Sequence, residues 1–209
     1  MYLIHVKKYE RVNRILPSDV VAFRTRLFNA LDIQQWRYSA CEYERRDITL
    51  VARAEGGIRF ATNHNEMLLA LQNAFASTRS ITVREVRWER MTLHDQIEVV
   101  ATRTNVLIGP HGANLLWAIF LRANSTMIEL NVPGSGNSNG LNVNTLSNYG
   151  SLAHWANVSE YEMHSIGDPR AGCAASRNPA CSSLTYNIAL VIEQTRAALQ
   201  RIDDACRLL

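Results

Sequence analysis

The chain lacks the long apolar run that a membrane-spanning helix needs. No stretch approaches the roughly 20 consecutive apolar residues required to cross a bilayer, and residues 1–10 lack the apolar core of a signal peptide. We therefore predict a soluble chain, with membrane attachment only through a segment not present in it. An internal repeat is also lacking, and low-complexity sequence is confined to a Gly, Ser and Asn stretch at 132–144, so we predict one domain over residues 1–209.

An excess of one charge is also lacking. The chain has 22 Lys and Arg against 19 Asp and Glu, and a nucleic-acid partner would need a clustered basic face. There is no Asp-x-Asp pair, the four cysteines have no paired metal-binding spacing, and the adjacent Asp203 and Asp204 fall in a helical segment where their side chains diverge. We predict no nucleic-acid partner and no metal or other cofactor.

Apolar periodicity divides the chain into alternating strands and helices. The predicted strands are 47–52, 81–86, 106–109, 127–130 and 158–163, and the predicted helices are 18–31, 64–75, 92–101, 113–121, 147–156 and 184–208. This alternation predicts an α/β fold with a Rossmann-like parallel sheet, right-handed crossovers and flanking helices.

Two helix starts carry capping signals. Ser18 is predicted to cap the first helix, whose inward face would include Val21 and Phe23. Thr92 is predicted to cap a later helix together with Asp95, three residues further on.

The most informative stretch is 106–130, which predicts a strand, a tight turn and a helix. Pro110-His111-Gly112 ends the strand, and apolar residues such as Leu116 and Trp117 then recur at helical spacing. The first amides of a helix are unpaired and lie at its positive end, and Gly112 has no Cβ to keep a phosphate from the backbone. We predict an anion-binding site at this turn.

Glu129 lies near the carboxyl end of the next predicted strand. Ligands of open α/β sheets bind outside the carboxyl ends of the strands, so this carboxylate should lie beside the anion site. Two carboxylate oxygens suit the vicinal diol of a ribose. The alternative is that His111 and Glu129 are merely hydrated ends of structural elements.

The same stretch resembles the carboxyl-terminal signature of the family 61 glycosyltransferases: an apolar strand, Gly-x-His-Gly-Ala-x-Leu, then Phe and a strand that ends in Glu. The resemblance covers about residues 48–161. Its other matching residues are Arg53 at the end of ITLVAR, Arg59, Asn63 with Glu66, Gln96, and the segment YGSLAHWANVSEY, which has Asn157 where glycine is usual.

The resemblance implies a lobe of the GT-B type that binds a nucleotide sugar, with UDP-sugar as the expected donor. It implies inverting, metal-independent transfer to a glycoprotein or polysaccharide acceptor. Arg53 would give a planar charged fork to phosphate, and a neutral His111 would donate a hydrogen bond to the diphosphate. The implied donor-binding residues are Arg53, Arg59, His111, Gly112, Ala113, Asn114 and Glu129. No residue is specified as the catalytic base.

Two other classes of protein share some of these features. Full-length members of this family have an additional amino-terminal lobe, and this chain is expected to begin near the linker between lobes, so the alternative is a non-catalytic nucleotide-sugar-binding lobe or a degenerate remnant. A dinucleotide-dependent dehydrogenase is disfavoured because AEGGIRF, and not G-x-G-x-x-G, follows the first strand. Relatives transfer N-acetylglucosamine, xylose or arabinose, and the sugar and acceptor stay open.

Cysteines and sequons indicate the compartment. Cys173 and Cys181 share a loop rich in small residues and are predicted to form a disulfide, whereas a second pair of Cys41 and Cys206 rests only on the even cysteine count. The alternative is buried free thiols.

Two N-glycosylation sequons begin at Asn124 and Asn157. Together with the cysteine count and the resemblance, they favour the lumen of the secretory pathway, in the Golgi or endoplasmic reticulum.

Overall fold

The structure, a computed structural model, describes residues 17–33, 40–42, 45–53, 60–131, 148–156, 158–164 and 183–208. The strands are β1 (Arg46–Val51), β2 (Phe60–Ala61), β3 (Ile81–Val86), β4 (Val106–Pro110), β5 (Thr126–Asn131), β6 (Ser159–His164) and β7 (Ser183–Leu184). The α-helices are α1 (Pro17–Ala30), α2 (His64–Phe75), α3 (Leu93–Arg103), α4 (Asn148–Trp155) and α5 (Ile188–Arg207). The 3-10 helices within the described ranges span Ala40–Glu42, Trp88–Arg90 and Ala113–Phe120. Within these ranges no helix is both long and apolar enough to cross a membrane.

The strands form one five-stranded parallel sheet in the order β3-β1-β4-β5-β6, and β2 and β7 form a separate parallel pair. Counted along the chain, the strands of the large sheet are ordered 2-1-3-4-5, which is a doubly wound order. The predicted Rossmann-like α/β fold is therefore confirmed, and the arrangement is consistent with a lobe of the GT-B type.

Helices cover both faces of the sheet. Successive residues of a strand point to opposite faces, and both sets are apolar here, so both faces must be buried. Leu50 and Ile108 face a core shared with α2 and α5, while Val51 and Leu107 face a second core shared with α1, α3, α4 and the long 3-10 helix. The sheet is therefore buried on both faces. This explains why its central strands have continuous apolar runs.

Several predicted elements agree closely with the structure. The predicted helix 64–75 and the predicted strand 81–86 are α2 and β3. Thr92 caps α3, and its Oγ1 accepts a hydrogen bond from the Asp95 amide at 3.2 Å. Local capping chemistry was sufficient to locate this helix start.

The prediction for the first helix was wrong in its start and its inward face. The helix begins at Pro17, a favoured first helical residue because its missing N–H has no helical partner there, so Ser18 lies within the first turn. Val21 and Phe23 are each about half exposed, at 51% and 50%. The buried positions of α1 are spaced by one turn: Val20, Arg24 and Phe28.

Arg24 faces inward because its guanidinium satisfies two helix ends. It donates to the Leu121 carbonyl at 2.6 Å, just after the long 3-10 helix, and to the Ala156 carbonyl at 3.4 Å, just after α4. Helix carboxyl ends carry partial negative charge and favour a cation. Burial lowers the pKa of Arg24 to about 10, which still leaves it charged at neutral pH.

The terminal helix was predicted from residue 184 but begins at Ile188. The preceding residues are extended because Leu184 pairs with β2 and because Asn63 bridges to Tyr186. The Asn63 amide group donates to the Tyr186 carbonyl at 2.8 Å and accepts from its amide at 3.2 Å. Tertiary pairing here overrides the helical periodicity of the sequence.

A disulfide joins Cys41, before β1, to Cys206, in the last turns of α5. The weaker of the two predicted pairs is therefore confirmed. Cys173 and Cys181 lie outside the described residues, so their pairing stays a prediction. Nearby, Arg46 binds the Asp203 carboxylate at 2.9 Å, so the same end of α5 is held to β1 by a second contact.

Candidate functional site

The functional site is expected at the carboxyl edge of the sheet, between β1 and β4. These strands are neighbours, but the chain continues from β1 to β3 on one side and from β4 to β5 on the other. Such a topological switch point leaves a crevice, and ligands of open α/β sheets bind there. Leu50 pairs with Ile108, and Arg53 and His111 each follow three residues later. The structure therefore brings two predicted site residues to the same edge.

His111 contacts two neighbouring elements at this edge. Its backbone amide donates to the Leu130 carbonyl at 2.8 Å, and its Nδ1 contacts the Oε1 of Glu129. The Glu129 side chain has 0% exposure and the His111 side chain 21%. The predicted neighbours are thus in direct contact, and the contact of Glu129 with a ribose stays a prediction.

Tyr149 of α4 is a site residue that the sequence interpretation missed. Its ring packs edge-to-face on His111, with 5.3 Å between ring centroids and 73° between planes. The signal was present, since Tyr149 opens the segment YGSLA that carries part of the resemblance. Nothing local to that segment indicates which residue it contacts.

Two glycines shape the turn after β4. Gly112 has φ of 140°, which L residues with a side chain rarely adopt. A Cβ at Gly109 would lie 3.1 Å from both the Leu115 Cδ2 and the Val51 Cβ. Gly109 therefore allows the following 3-10 helix to approach β4 and β1, and Gly112 allows the chain to turn into it.

The predicted α-helix after this turn is instead a 3-10 helix, Ala113–Phe120. Fully buried residues recur every three positions at Leu115, Ala118 and, just after the helix, Leu121, whereas Leu116, which fits the predicted helical spacing, is 47% exposed. A 3-10 helix has three residues per turn, so positions i and i+3 eclipse. Over eight residues the two periods are hard to distinguish in sequence.

The remaining predicted donor-binding residues occupy varied positions. At the turn, Ala113 is exposed, Asn114 is half-buried and Gly112 is buried. Arg53 is half-buried just beyond β1. Arg59 lies outside the described residues, and its contribution stays a prediction.

A second polar cluster at the carboxyl end of β3 was missed by the sequence interpretation. His64 Nε2 lies 3.2 Å from Glu85 Oε2, and Arg87 donates to the other oxygen of Glu85. Burial raises the pKa of Glu85, but hydrogen bonds from Arg87 and His64 outweigh it and hold the pKa below its ordinary value. His64 opens α2, so this cluster fastens the helix start to the sheet.

Gln96, which matches the family pattern, has a structural contact. Its side-chain amide donates to the carbonyls of Trp88 at 2.9 Å and Met91 at 3.0 Å. These carbonyls belong to the 3-10 helix before α3 and the residue that follows it. Gln96 therefore holds the start of α3 to the preceding turn.

The sequon at Asn124 lies in a tight turn before β5. Asn124 has φ of 65°, and its amide donates to the Cys41 Sγ at 3.7 Å. Ser125 and Thr126 are fully buried. A glycan on Asn124 would displace the sulfur contact. Its glycosylation stays a prediction, as does that of Asn157, which lies outside the described residues.

Among the described residues, one group of three side chains could approach a single cation. His94, Asp95 and Glu98 lie in the first two turns of α3, with ligand atoms within 4.8 Å of one another. His94 and Asp95 are largely exposed, at 48% and 53% of their side chains. None of the residues that line the carboxyl edge near His111 belongs to this group.

The fold and this edge define an α/β protein of the Rossmann-like class, with a glycine-containing turn, a buried carboxylate and basic side chains where such folds bind ligands. The particular family follows from its sequence: the chain belongs to Glycosyltransferase 61, whose sequence model matches residues 2–128. The domain is therefore a glycosyltransferase domain. Membership of this family implies a sugar donor and an acceptor as its substrates. A search of curated proteins found no match.

The family match bears on the site in two ways. It begins well before the residues that carried the sequence resemblance, and it includes Arg53, His111 and Gly112. It ends one residue before Glu129, so Glu129 and the segment around Tyr149 lie outside it. Glu129 and Tyr149 are connected to the site by their contacts with His111.

Proposed function

We propose that this glycosyltransferase domain takes its sugar from a UDP-sugar and binds the diphosphate at the carboxyl edge between β1 and β4. The observation that carries the proposal is the alignment of Arg53 with His111 at the switch point. Leu50 of β1 pairs with Ile108 of β4, and Arg53 and His111 each follow three residues later. Ligands of this sheet type bind at that place. The choice of uridine rests on the sequence resemblance.

The chemistry of the edge suits a diphosphate. Arg53 can give two parallel, charge-assisted hydrogen bonds to phosphate oxygens. The turn at Gly112 lets the backbone amides of Gly112 and Ala113 approach an anion, and no Cβ of residue 112 intervenes. His111 adds a ring N–H donor beside these amides.

These groups support an inverting reaction that needs no metal. The diphosphate leaves with negative charge, and preorganised donors that stabilise developing charge lower the barrier. The acceptor hydroxyl, from a glycoprotein or polysaccharide, attacks the sugar carbon on the face opposite the diphosphate. The base that removes its proton must lie within hydrogen-bond reach of that hydroxyl, and we assign none of the described residues to this step.

The Cys41–Cys206 disulfide supports a place of action in the lumen of the secretory pathway. Disulfides persist in such oxidising compartments and are rare where thiols are kept reduced. The two predicted sequons fit the same compartment. We propose the Golgi or the endoplasmic reticulum without choosing between them.

A panel of nucleotides tests the proposal. Thermal unfolding is measured with UDP, UDP-N-acetylglucosamine, UDP-xylose and UDP-arabinose, and with GDP and GDP-mannose as matched non-uridine controls. A true donor at a hundred times its dissociation constant should stabilise the fold by ~2.7 kcal/mol. Hydrolysis and transfer of the stabilising donor are then measured with and without a chelator.

Three outcomes are distinguished. Stabilisation by uridine nucleotides with chelator-resistant turnover supports the proposal. Stabilisation without turnover on any acceptor would make the chain a non-catalytic binding lobe. No stabilisation by any nucleotide, or turnover abolished by the chelator, would overturn the proposed donor site or its metal independence.

A further inference from the structure

Glu129 is a fully buried carboxylate within the sheet. It lies in β5 opposite Gly109 of β4, and its side chain has no exposed surface. A buried carboxylate is costly unless it is hydrogen-bonded or paired with a cation. Its Oε1 contacts Nδ1 of His111. The pair therefore needs an explanation other than direct contact of Glu129 with a ligand.

The contact defines how the His111 ring is turned. A carboxylate accepts, so Nδ1 carries the hydrogen when it faces Glu129. The two nitrogens of an imidazole are distinct, and the hydrogen bond made by one sets what the other can do. A ring with Nδ1 toward Glu129 presents its Nε2 edge to a ligand. Its 21% exposure means that a ligand can reach the ring.

Tyr149 restrains the same ring from a different element. Its edge-to-face contact comes from α4, whereas Glu129 belongs to β5 and His111 itself follows β4. Contacts from two elements fix both the plane of the imidazole and the direction of its nitrogens. Such restraint is what a preorganised donor requires.

We propose that Glu129 is a positioning residue, which holds the Nδ1–H of His111 so that Nε2 is directed at the diphosphate, and that it does not bind the ribose. The inference rests on the proposed donor site. It also alters the expectation that a neutral His111 donates to the diphosphate. A neutral imidazole with hydrogen on Nδ1 has none on Nε2. His111 therefore carries both hydrogens when it donates to phosphate, and the buried carboxylate balances its charge.

Matched substitutions separate the two nitrogens. Glu129→Gln keeps the size and an acceptor oxygen but removes the charge. His111→Asn keeps an amide N–H near the place of Nδ1 and removes the Nε2 edge, so Glu129 retains a donor. Calorimetry measures the binding of UDP, uridine and 2′-deoxy-UDP to the parent, both single variants and the double variant. Thermal unfolding of each variant confirms that it is folded.

The positioning account predicts a specific pattern. Each single variant should bind UDP about 10- to 100-fold more weakly, the effect of losing a hydrogen bond to a charged group. Uridine, which has no phosphate, should bind each variant as it binds the parent. The double variant should bind UDP no more weakly than His111→Asn does, because both changes act on the same hydrogen bond, from Nε2 of His111 to the diphosphate. The preference for UDP over 2′-deoxy-UDP should be unchanged in Glu129→Gln.

Other patterns would overturn it. Loss of the preference for UDP over 2′-deoxy-UDP in Glu129→Gln would make Glu129 a ribose ligand. Equal weakening of UDP and uridine would mean that Glu129 only maintains the fold. Additive losses in the double variant would show that the two side chains act independently.

Nitrogen NMR of His111 tests the pair without a nucleotide. The unliganded parent should carry hydrogen on Nδ1, and in the UDP complex the ring should carry hydrogen on both nitrogens, which Glu129→Gln should prevent. An Nε2–H neutral tautomer in the unliganded parent would contradict the inference. If the parent does not bind UDP at all, the proposed function fails, while the unliganded spectrum still decides the orientation of the ring.

Discussion

The two edges of the parallel sheet differ in how they use polar residues. At the amino edge, the backbone N–H of Asn105 donates to the Asp47 carbonyl at 2.8 Å, and the Asn105 side-chain oxygen accepts from the Asp47 backbone N–H at 2.9 Å. The Cys41–Cys206 disulfide lies at the same edge. At the carboxyl edge, the polar side chains of His111 and Glu129 meet beside a turn that a ligand can reach. Cross-links and ligand chemistry are therefore separated along the strands.

This separation has a physical basis. In parallel sheets, the crossovers open at the carboxyl edge, where loops and helix starts supply donors for ligands. The amino edge has no such demand, so its polar groups serve to hold the elements together, as Asn105 does with Asp47 and Arg46 with Asp203. Substitutions at the two edges should consequently affect stability and donor binding independently.

The largest expected effect is loss of the disulfide. Replacing Cys41 and Cys206 by Ser should lower the free energy of unfolding by about 2–5 kcal/mol, because the bridge closes a long loop of the unfolded chain. Binding of UDP to the folded variant should be unchanged. Urea denaturation of the variant and of the parent with and without reductant measures the first effect, and calorimetry the second.

The predicted Cys173–Cys181 pair provides the control. It would close a much shorter loop, so the Cys173→Ser, Cys181→Ser variant should lose less stability. Mass spectrometry of unreduced peptides shows whether each pair exists. A peptide in which Cys41 is joined to a cysteine other than Cys206, or equal urea midpoints with and without reductant, would contradict the account of this edge.

A smaller effect is expected from the structural cluster at the carboxyl end of β3. The pKa of Glu85 is below its ordinary value of 4.5 because hydrogen bonds from Arg87 and His64 outweigh desolvation. A lowered carboxyl pKa stabilises the fold above about pH 4.5, and that stability is lost as the pH falls through the folded-state pKa. The contribution should be about 1 kcal/mol or less, as for other partly exposed ion pairs.

Urea denaturation between pH 3 and 7 measures this effect, since Glu85→Gln removes the titrating group. The parent should lose more stability on acidification than the variant. Glu193→Gln, on the exposed face of α5, is the matched control. Its loss of stability on acidification should equal that of the parent. If Glu85→Gln and the parent lose stability equally, the cluster does not stabilise the folded state.

The sequence predicted elements whose signals are local. The central strands are continuous apolar runs, and α3 has a capping residue at its start, so both were found without knowledge of the fold. The face of α1 was not, because Arg24 points inward toward carbonyls 97 and 132 residues away. The 3-10 helix was taken for an α-helix because eight residues do not separate periods of 3.0 and 3.6.

The sequence predicted which strand ends carry His111, Glu129 and Arg53, but not the contacts that these side chains make. Glycine, histidine and arginine at strand ends indicated an anion site at the carboxyl edge. The contact of Glu129 with His111 depends on the register in which Gly109 pairs with Glu129, and register between distant strands cannot be read from one sequence. Tyr149 was missed for the same reason, since its partner is set by how α4 packs.

The central claim is that the donor diphosphate binds at the carboxyl edge of β1 and β4. Two arginines at opposite ends of β1 test it most directly. Arg53 follows the carboxyl end of β1, whereas Arg46 is the first residue of β1 and is bound to Asp203. Calorimetry should show that Arg53→Ala binds UDP about 10- to 100-fold more weakly than the parent. Arg46→Ala should bind UDP as the parent does and lose only about 1 kcal/mol of stability. Two results would contradict the claim. One is a folded Arg53→Ala variant that binds UDP like the parent, and the other is an Arg46→Ala variant whose UDP binding is weakened about 10- to 100-fold.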